Sequence, residues 1–162
     1  MMGVLANAVF KKGGHVTGVI TRRLIEMEVA FTQLDDLRSV ETMHERKALM
    51  AELSDGFIAL PGGFGTMDEM FEVLTWSQLN IHKKPCGFLN VNGYFNKLIE
   101  FISHMISQGF VSDACQSLIL KDETPEGLLQ KFESYQPLFT DKGEWAKALA
   151  KKKSVENLLV NQ

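Results

Sequence analysis

The sequence of 162 residues has few cysteines, no long apolar run and little net charge. Its two cysteines, Cys86 and Cys115, lack the close spacing of metal ligands, which indicates a reducing compartment and no disulfide framework. A net charge of −3 favours neither a nucleic acid nor a membrane surface as partner. No stretch approaches the roughly 20 apolar residues of a membrane-spanning helix, and residues 1–3 lack the basic start of a signal peptide. We therefore expect a cytoplasmic protein.

Histidine spacing gives no metal site either. The four histidines are scattered, without the HxH or HxxxH spacing that would bring two imidazoles to one ion. We expect packing or surface roles for all four, and no metal cofactor.

Short apolar segments alternate with segments of helical periodicity. Strands are predicted at residues 16–20, 57–60, 86–91 and 117–121. Helices are predicted at residues 4–10, 42–54, 66–79 and 94–107, and from Thr124-Pro125 onward. Residues 21–41 predict a short helix and a loop through Asp35-Asp36. This alternation favours an α/β fold, a Rossmann-like doubly wound parallel sheet with helices on both faces. We expect one domain, residues 1–136, and a partly helical tail, residues 137–162.

The stretch LPGGFGTMDE, residues 60–69, joins a predicted strand to a predicted helix. In such sheets, ligands bind beyond the carboxyl ends of the strands, where this turn must lie. Thr66 and Glu69 have the spacing of a capping box, and glycines in a turn can simply provide positive φ. Alternatively, the backbone amides at the helix start form a cradle for one phosphate, with Glu69 about 5 Å further along the axis than Thr66. The stretch lacks both the lysine of a Walker A loop and the dinucleotide spacing.

The helix that starts after Thr42 contains an arginine within its apolar stripe. Thr42 and Glu45 predict a capping box, and Met43, Met50 and Leu53 predict the inward face. Arg46 falls inside that face and has Lys47 beside it. Arginine can extend along apolar neighbours to reach solvent, but a buried guanidinium otherwise requires an anion. The two adjacent cations favour ligand binding.

The helix over residues 66–79 has apolar residues on two sides. Met67, Phe71 and Leu74 predict its inward face, whereas Val73 and Trp76 lie toward the opposite one. Trp76 is then covered either by a second subunit or by the tail of the same chain.

Together, MHERK (residues 43–47) and PGGFGTMDE (residues 61–69) resemble the LOG (LONELY GUY) family of cytokinin riboside 5′-monophosphate phosphoribohydrolases. Members of this family were often labelled lysine decarboxylases. The family patterns MxxRK and PGGxGTxxE are both matched without a gap, and the likeness covers about residues 1–135.

The resemblance implies hydrolysis of the N-glycosidic bond of a nucleoside 5′-monophosphate, AMP or N6-prenylated AMP, to a free adenine-type base and ribose 5-phosphate. It assigns Glu69 and Arg46 to the catalytic pair. It assigns nucleotide binding to Met43, Lys47, Gly62, Gly63, Gly65 and Thr66. It also implies a homodimer with the active site near the subunit interface, and no cofactor.

One departure from the family concerns the start of the chain. Its first residues, MMG, correspond to the end of the family's glycine-rich loop, so we expect the family's first strand-helix-strand to be missing. The alternative function is then a nucleotide-monophosphate-binding module without turnover.

A third hypothesis, amino-acid decarboxylation, has no support, because no lysine lies in a context suited to a pyridoxal Schiff base.

Overall fold

The computed structural model describes residues 2–27, 34 and 36–137, together with the individual residues 143, 145, 147, 150 and 151. The chain divides into two compact units, Met1–Ser54 and Asp55–Gln162. Both units contain parallel strands and helices, which confirms the predicted α/β class with a Rossmann-like arrangement. A single domain over residues 1–136 stays a prediction. Most of the predicted tail lies outside the described residues, and the five described individually are helical.

The described residues of the first unit form three helices and two strands. In chain order they are α1 (Met2–Lys11), β1 (Thr17–Thr21), α2 (Arg22–Glu26), β2 (Asp36–Val40) and α3 (Met43–Leu53). The two strands are parallel, with Thr17 opposite Asp36 and Thr21 opposite Val40. Gly13 caps the end of α1, because it has a φ of +76° and its N–H donates to the Phe10 carbonyl at 2.9 Å.

Strand β2 corrects the predicted loop through Asp36. Its central residues, Arg38 and Ser39, are exposed, so the segment lacks the apolar run that identifies a buried strand. Backbone pairing with β1 holds it in place instead. Thr17 at the start of β1 also donates its hydroxyl to the Asp36 carboxylate at 2.7 Å.

The second unit is built on a parallel sheet in the order β3-β4-β5. Its elements are β3 (Phe57–Ala59), α4 (Phe64–Gln78), β4 (Cys86–Leu89), a 3₁₀ turn (Val91–Gly93), α5 (Asn96–Ser107), a second 3₁₀ segment (Asp113–Leu118), β5 (Ile119–Asp122) and α6 (Pro125–Glu133). All three strands had been predicted, to within two residues at each end. The predicted start of α6 is also confirmed, with Thr124 as N-cap and a proline in the first turn.

The core of the second unit lies between α4, β4 and the start of α5. Its buried members are Ala59, Met70, Val73, Leu74, Cys86, Phe88 and Phe95. Burial raises the pKa of the Cys86 thiol to about 12, which suits a core residue and not a nucleophile. In the described part of the chain, no helix combines the length and the apolar character needed to cross a bilayer.

The predicted two-sided character of α4 needs a correction. Val73 is 8% exposed and belongs to the core, although the helical pattern had placed it on the opposite side. Trp76 is half-buried and packs against the same cluster. The core of its own unit therefore accounts for the position of this tryptophan.

Candidate functional site

The glycine turn leads into α4 earlier than predicted. The helix starts at Phe64, with Gly63 as its N-cap, and its first backbone bond runs from Met67 N–H to the Gly63 carbonyl at 3.2 Å. Thr66 is therefore the third residue of the helix, and the predicted capping box of Thr66 with Glu69 is wrong. Glycine itself is accepted at the N-cap, which allows this earlier start. The amides of residues 63–66 have no acceptor within the helix, the arrangement that suits an anion.

The three glycines of the turn serve different needs. A Cβ built on Gly62 would overlap the hydroxyl oxygen of Thr66 and lie 3.0 Å from the Thr66 Cβ. A Cβ on Gly63 or on Gly65 would meet no atom within 4 Å. None of the three has a positive φ, so backbone conformation does not demand glycine here. Packing explains Gly62, whereas Gly63 and Gly65 leave the backbone open to close approach.

Glu69 follows on the same side of the helix as the open glycine. Residues four apart in a helix share a face, so Glu69 lies one turn after Gly65. In a helix the Cα–Cβ bonds are tilted toward the N-terminus, so the Cβ of Glu69 is inclined toward the start of α4. Glu69 is half-buried, and it is six residues, about 9 Å of helix axis, beyond the N-cap.

Tyr94, in the connection between β4 and α5, contacts the turn, a relationship that the sequence did not reveal. Its hydroxyl donates to the Gly62 carbonyl at 2.9 Å. The 3₁₀ turn before it follows β4, which pairs with β3 in parallel, so both connections leave the same edge of the sheet. The dipeptide Asn92-Gly93 signalled a turn at this edge, but nothing in the sequence indicated its partner 32 residues away.

Asn90 holds the connection that carries Tyr94. It is 6% exposed, and its Oδ1 accepts from the Phe95 N–H at 2.7 Å while its Nδ2 donates to Asn96 Oδ1 at 2.8 Å. Its own N–H donates to the Asp122 carbonyl of β5 at 2.7 Å. These bonds fix the segment between β4 and α5 to the sheet.

The second predicted motif lies on α3 in the first unit. The capping box at its start is confirmed: Glu45 N–H donates to Thr42 Oγ1 at 3.1 Å, and Thr42 N–H donates to the Glu45 carboxylate at 3.3 Å. Arg46 is 8% exposed, which agrees with the interpretation that its guanidinium is buried. Its Nε donates to the Val19 carbonyl of β1 at 2.9 Å, which fixes the plane of the guanidinium.

The predicted inward face of α3 is only partly right. Met43 is 45% exposed and Leu53 is 43% exposed, whereas Met50 and Lys47 are half-buried. The buried face is centred on Arg46, because its bond to β1 turns that side of the helix toward the strand. Met43, predicted to bind nucleotide, is thus an exposed first residue of the helix.

The predicted site residues form two local groups. Met43, Arg46 and Lys47 lie together on α3 of the first unit. The β3–α4 turn and first turns of α4 carry the other group: Gly62, Gly63, Gly65, Thr66 and Glu69. The second group places backbone amides for an anion beside a carboxylate, a combination suited to a ligand that carries a phosphate and develops positive charge nearby.

Comparisons with known proteins identify the family to which the chain is related. A family model described as possible lysine decarboxylase matches residues 2–132. The chain is 46% identical over 137 residues to probable cytokinin riboside 5′-monophosphate phosphoribohydrolase LOGL3 of Oryza sativa subsp. japonica, a match covering 85% of this chain and 65% of that protein. It is 45% identical to cytokinin riboside 5′-monophosphate phosphoribohydrolase LOG1 of Arabidopsis thaliana, with 85% and 64% covered.

The chain thus spans a little under two thirds of the length of these curated relatives. The resemblance carried by residues 43–47 and 61–69 is confirmed by matches that cover both motifs. The chain belongs to the LOG family, whose family model carries the description possible lysine decarboxylase.

Proposed function

We propose that this chain hydrolyses the N-glycosidic bond of nucleoside 5′-monophosphates, releasing an adenine-type base and ribose 5-phosphate. The observation that carries the proposal is the position of Glu69, on the same face of α4 as the open backbone at Gly65 and one turn beyond it. The names of the relatives, which are phosphoribohydrolases of cytokinin riboside 5′-monophosphates, support it.

The phosphate binds at the start of α4. Amides of residues 63–66 face it, and the positive end of the helix dipole adds to their attraction. Since no side chain is present at Gly63 or Gly65, the phosphate oxygens can approach the backbone closely. Contacts with the phosphate supply binding energy that positions the ribose, and these contacts lie away from the bond that breaks.

Glu69 acts at the ribose. When the bond from C1′ to the base nitrogen breaks, its electron pair leaves with the base and C1′ becomes positively charged. A water oxygen then bonds to C1′, and a proton from that water ends on the departing base or in solvent. A carboxylate held beside C1′ stabilises the positive charge or orients the water.

Arg46 and Lys47 supply positive charge from α3. The resemblance implies that Arg46 binds the substrate through the fixed N–H donors of its planar guanidinium and is not the acid of the reaction. Its Nε is engaged by the Val19 carbonyl, so the guanidinium is held in one orientation before substrate arrives.

Base release from AMP, followed by chromatography, tests this function. We expect wild type to release adenine from AMP and not from adenosine, and Glu69→Gln to lower kcat by about 100-fold or more. Asp68→Asn is the matched control, because it removes a carboxylate from the neighbouring, exposed position of the same helix. We expect it to keep kcat within about threefold of wild type. Equal rates for wild type and Glu69→Gln would contradict the mechanism.

Calorimetry separates binding from turnover. Binding of AMP without release of base would give this chain a nucleotide-binding role alone. Comparison of kcat/KM for AMP and N6-prenylated AMP then decides whether the pocket requires the prenyl group.

The family model is described as possible lysine decarboxylase, so decarboxylation of lysine should also be assayed. We expect no CO₂ from lysine, with or without added pyridoxal phosphate. Decarboxylation that depends on this cofactor would overturn the hydrolase proposal.

The proposal includes a homodimer, which the resemblance implies, and a cytoplasmic location, which the sequence composition predicts. Light scattering should then give twice the chain mass of 18.2 kDa. A monomer at assay concentration would contradict the dimer.

A further inference from the structure

A side-chain hydrogen bond joins the glycine turn to the connection between β4 and α5. Tyr94 is 55% exposed, yet its hydroxyl donates to the Gly62 carbonyl at 2.9 Å. The two residues before it, Asn92 and Gly93, have positive φ values of 52° and 69°. This tight turn brings the tyrosine back toward the end of β3.

The bond to Gly62 also sets the direction of a neighbouring amide. The Gly62 carbonyl and the Gly63 N–H belong to the same planar peptide group, and in a trans peptide they point in opposite directions. The described part of the chain has no cis peptide. When Tyr94 holds the carbonyl on one side, the Gly63 N–H points to the other. That N–H belongs to the N-cap of α4, the first of the amides without an acceptor in the helix.

Two glycines flank this peptide, so a contact from outside the turn is needed to fix its orientation. Glycine has access to far more of φ/ψ space than other residues, and a Gly-Gly peptide can rotate at little steric cost. A rotated peptide would turn the Gly62 carbonyl oxygen, instead of an N–H, toward the anion. Fixing one orientation before binding removes this competing arrangement from the free protein.

Tyr94 itself is held by the core. Its ring packs edge-on against Phe95, with centroids 5.0 Å apart and planes at 90°. Phe95 is 1% exposed, and its N–H is bonded to the buried Asn90. The packing on Phe95 therefore fixes the position from which the Tyr94 hydroxyl contacts the turn.

We propose that Tyr94 is a positioning residue for phosphate binding, acting through the Gly62 carbonyl to keep the Gly63 amide directed at the phosphate. This inference rests on the proposed function, since it assumes that a phosphate binds at the start of α4. Tyr94 acts through the backbone and contacts neither the base nor C1′.

Tyr94→Phe tests the proposal, because it removes the hydroxyl and keeps the ring. Tyr135→Phe is the matched control: the chain has two tyrosines, and this one is half-buried in the same unit, where its hydroxyl contacts Ser77. We expect Tyr94→Phe to weaken binding of AMP and of ribose 5-phosphate about tenfold in calorimetry, or about 1.4 kcal/mol. Tyr135→Phe should leave both affinities within about twofold.

Kinetics and stability separate positioning from a general structural effect. In Tyr94→Phe, KM for AMP should rise about tenfold while kcat changes less than threefold, and the unfolding midpoint without ligand should stay within about 2 °C. In ¹H–¹⁵N spectra, the Gly63 amide of wild type should shift when AMP is added, and this shift should shrink in Tyr94→Phe. Equal loss of affinity in Tyr94→Phe and Tyr135→Phe would overturn the proposal.

The outcomes also distinguish this inference from the proposed function. If wild type hydrolyses AMP, Glu69→Gln does not, and Tyr94→Phe binds AMP as wild type does, the inference is wrong and the hydrolase function stands. If wild type binds no monophosphate at all, the proposed function fails and the inference fails with it.

Discussion

Gly62 packs directly against Thr66 at the start of α4, so closely that a Cβ on the glycine would overlap the threonine hydroxyl. Gly63 and Gly65 lie in the same turn, but each faces open space. One turn thus contains a glycine required by the fold and two that the fold does not require. This difference allows the structural and the ligand-binding explanations of the turn to be tested separately.

Gly62→Ala should destabilise the second unit. The new methyl group must displace Thr66, whose backbone is fixed in the first turn of α4. Forcing one extra methyl group into an occupied position costs about 1–3 kcal/mol of unfolding free energy. Urea unfolding followed by circular dichroism measures the loss. A double variant with Thr66→Ala should recover part of it by removing the hydroxyl, and a failure to recover would contradict the steric explanation.

Gly65→Ala should separate stability from binding. Its Cβ meets no atom within 4 Å, and alanine has the higher helix propensity, so the unfolding free energy should rise by up to about 1 kcal/mol. The same methyl group occupies the open side of the backbone, so AMP affinity should fall at least tenfold by calorimetry. A more stable protein with unchanged AMP affinity would show that the glycines do not cradle a phosphate.

The fold was predictable where burial and periodicity agreed. All four residues of β4 are buried, and its apolar run identified it without ambiguity. Strand β2 was missed because Arg38 and Ser39 are exposed and parallel pairing alone defines it. Local patterns describe side chains, whereas strand pairing depends on a backbone partner elsewhere in the sequence.

The site was predictable to the extent that local motifs define it. The two motifs identified the turn and α3, and the place of Arg46 in the predicted apolar face favoured its burial, although Met43 and Leu53 of that face are exposed. The start of α4 was misplaced because Thr66 and Glu69 have capping-box spacing, while a glycine N-cap leaves no such signature. Tyr94 escaped detection because its bond to Gly62 depends on the adjacency of β3 and β4.

Arg46→Lys should show that this arginine stabilises the first unit as well as serving the site. Lysine keeps the charge but has no Nε to donate to the Val19 carbonyl, so this acceptor on the half-buried Val19 of β1 loses its charged donor. We expect the unfolding free energy to fall by about 1–3 kcal/mol, and kcat/KM for AMP to fall at least tenfold. Arg22→Lys is the control, because Arg22 is 67% exposed and its ion pair with Glu41 contributes little. A loss as large in Arg22→Lys would contradict this assignment.

His82 should make the second unit less stable in mild acid. Its Nε2–H donates to the Val73 carbonyl at 2.8 Å, and its Nδ1 accepts from the Lys84 N–H at 3.1 Å, so the neutral ring satisfies both partners. Protonation would place a hydrogen on Nδ1 against another N–H donor. Burial of the ring, together with the nearby Lys84 charge, lowers the pKa of His82 below its usual value of 6.5.

Because the folded pKa lies below the unfolded one, the unfolded state binds the proton more readily, and stability falls as pH decreases through 6.5 toward the folded pKa. Above 6.5 the contribution of the neutral ring is fully present. Urea unfolding at pH 7.5 and pH 5.5 should therefore show a larger decrease for wild type than for His82→Gln, in which the titrating group is absent. The pKa of Asp36 is lowered to about 2, mainly by its hydrogen bonds from Arg38 and Thr17, so this carboxylate stays charged across the range. Equal pH dependence in the two proteins would exclude His82 as the source.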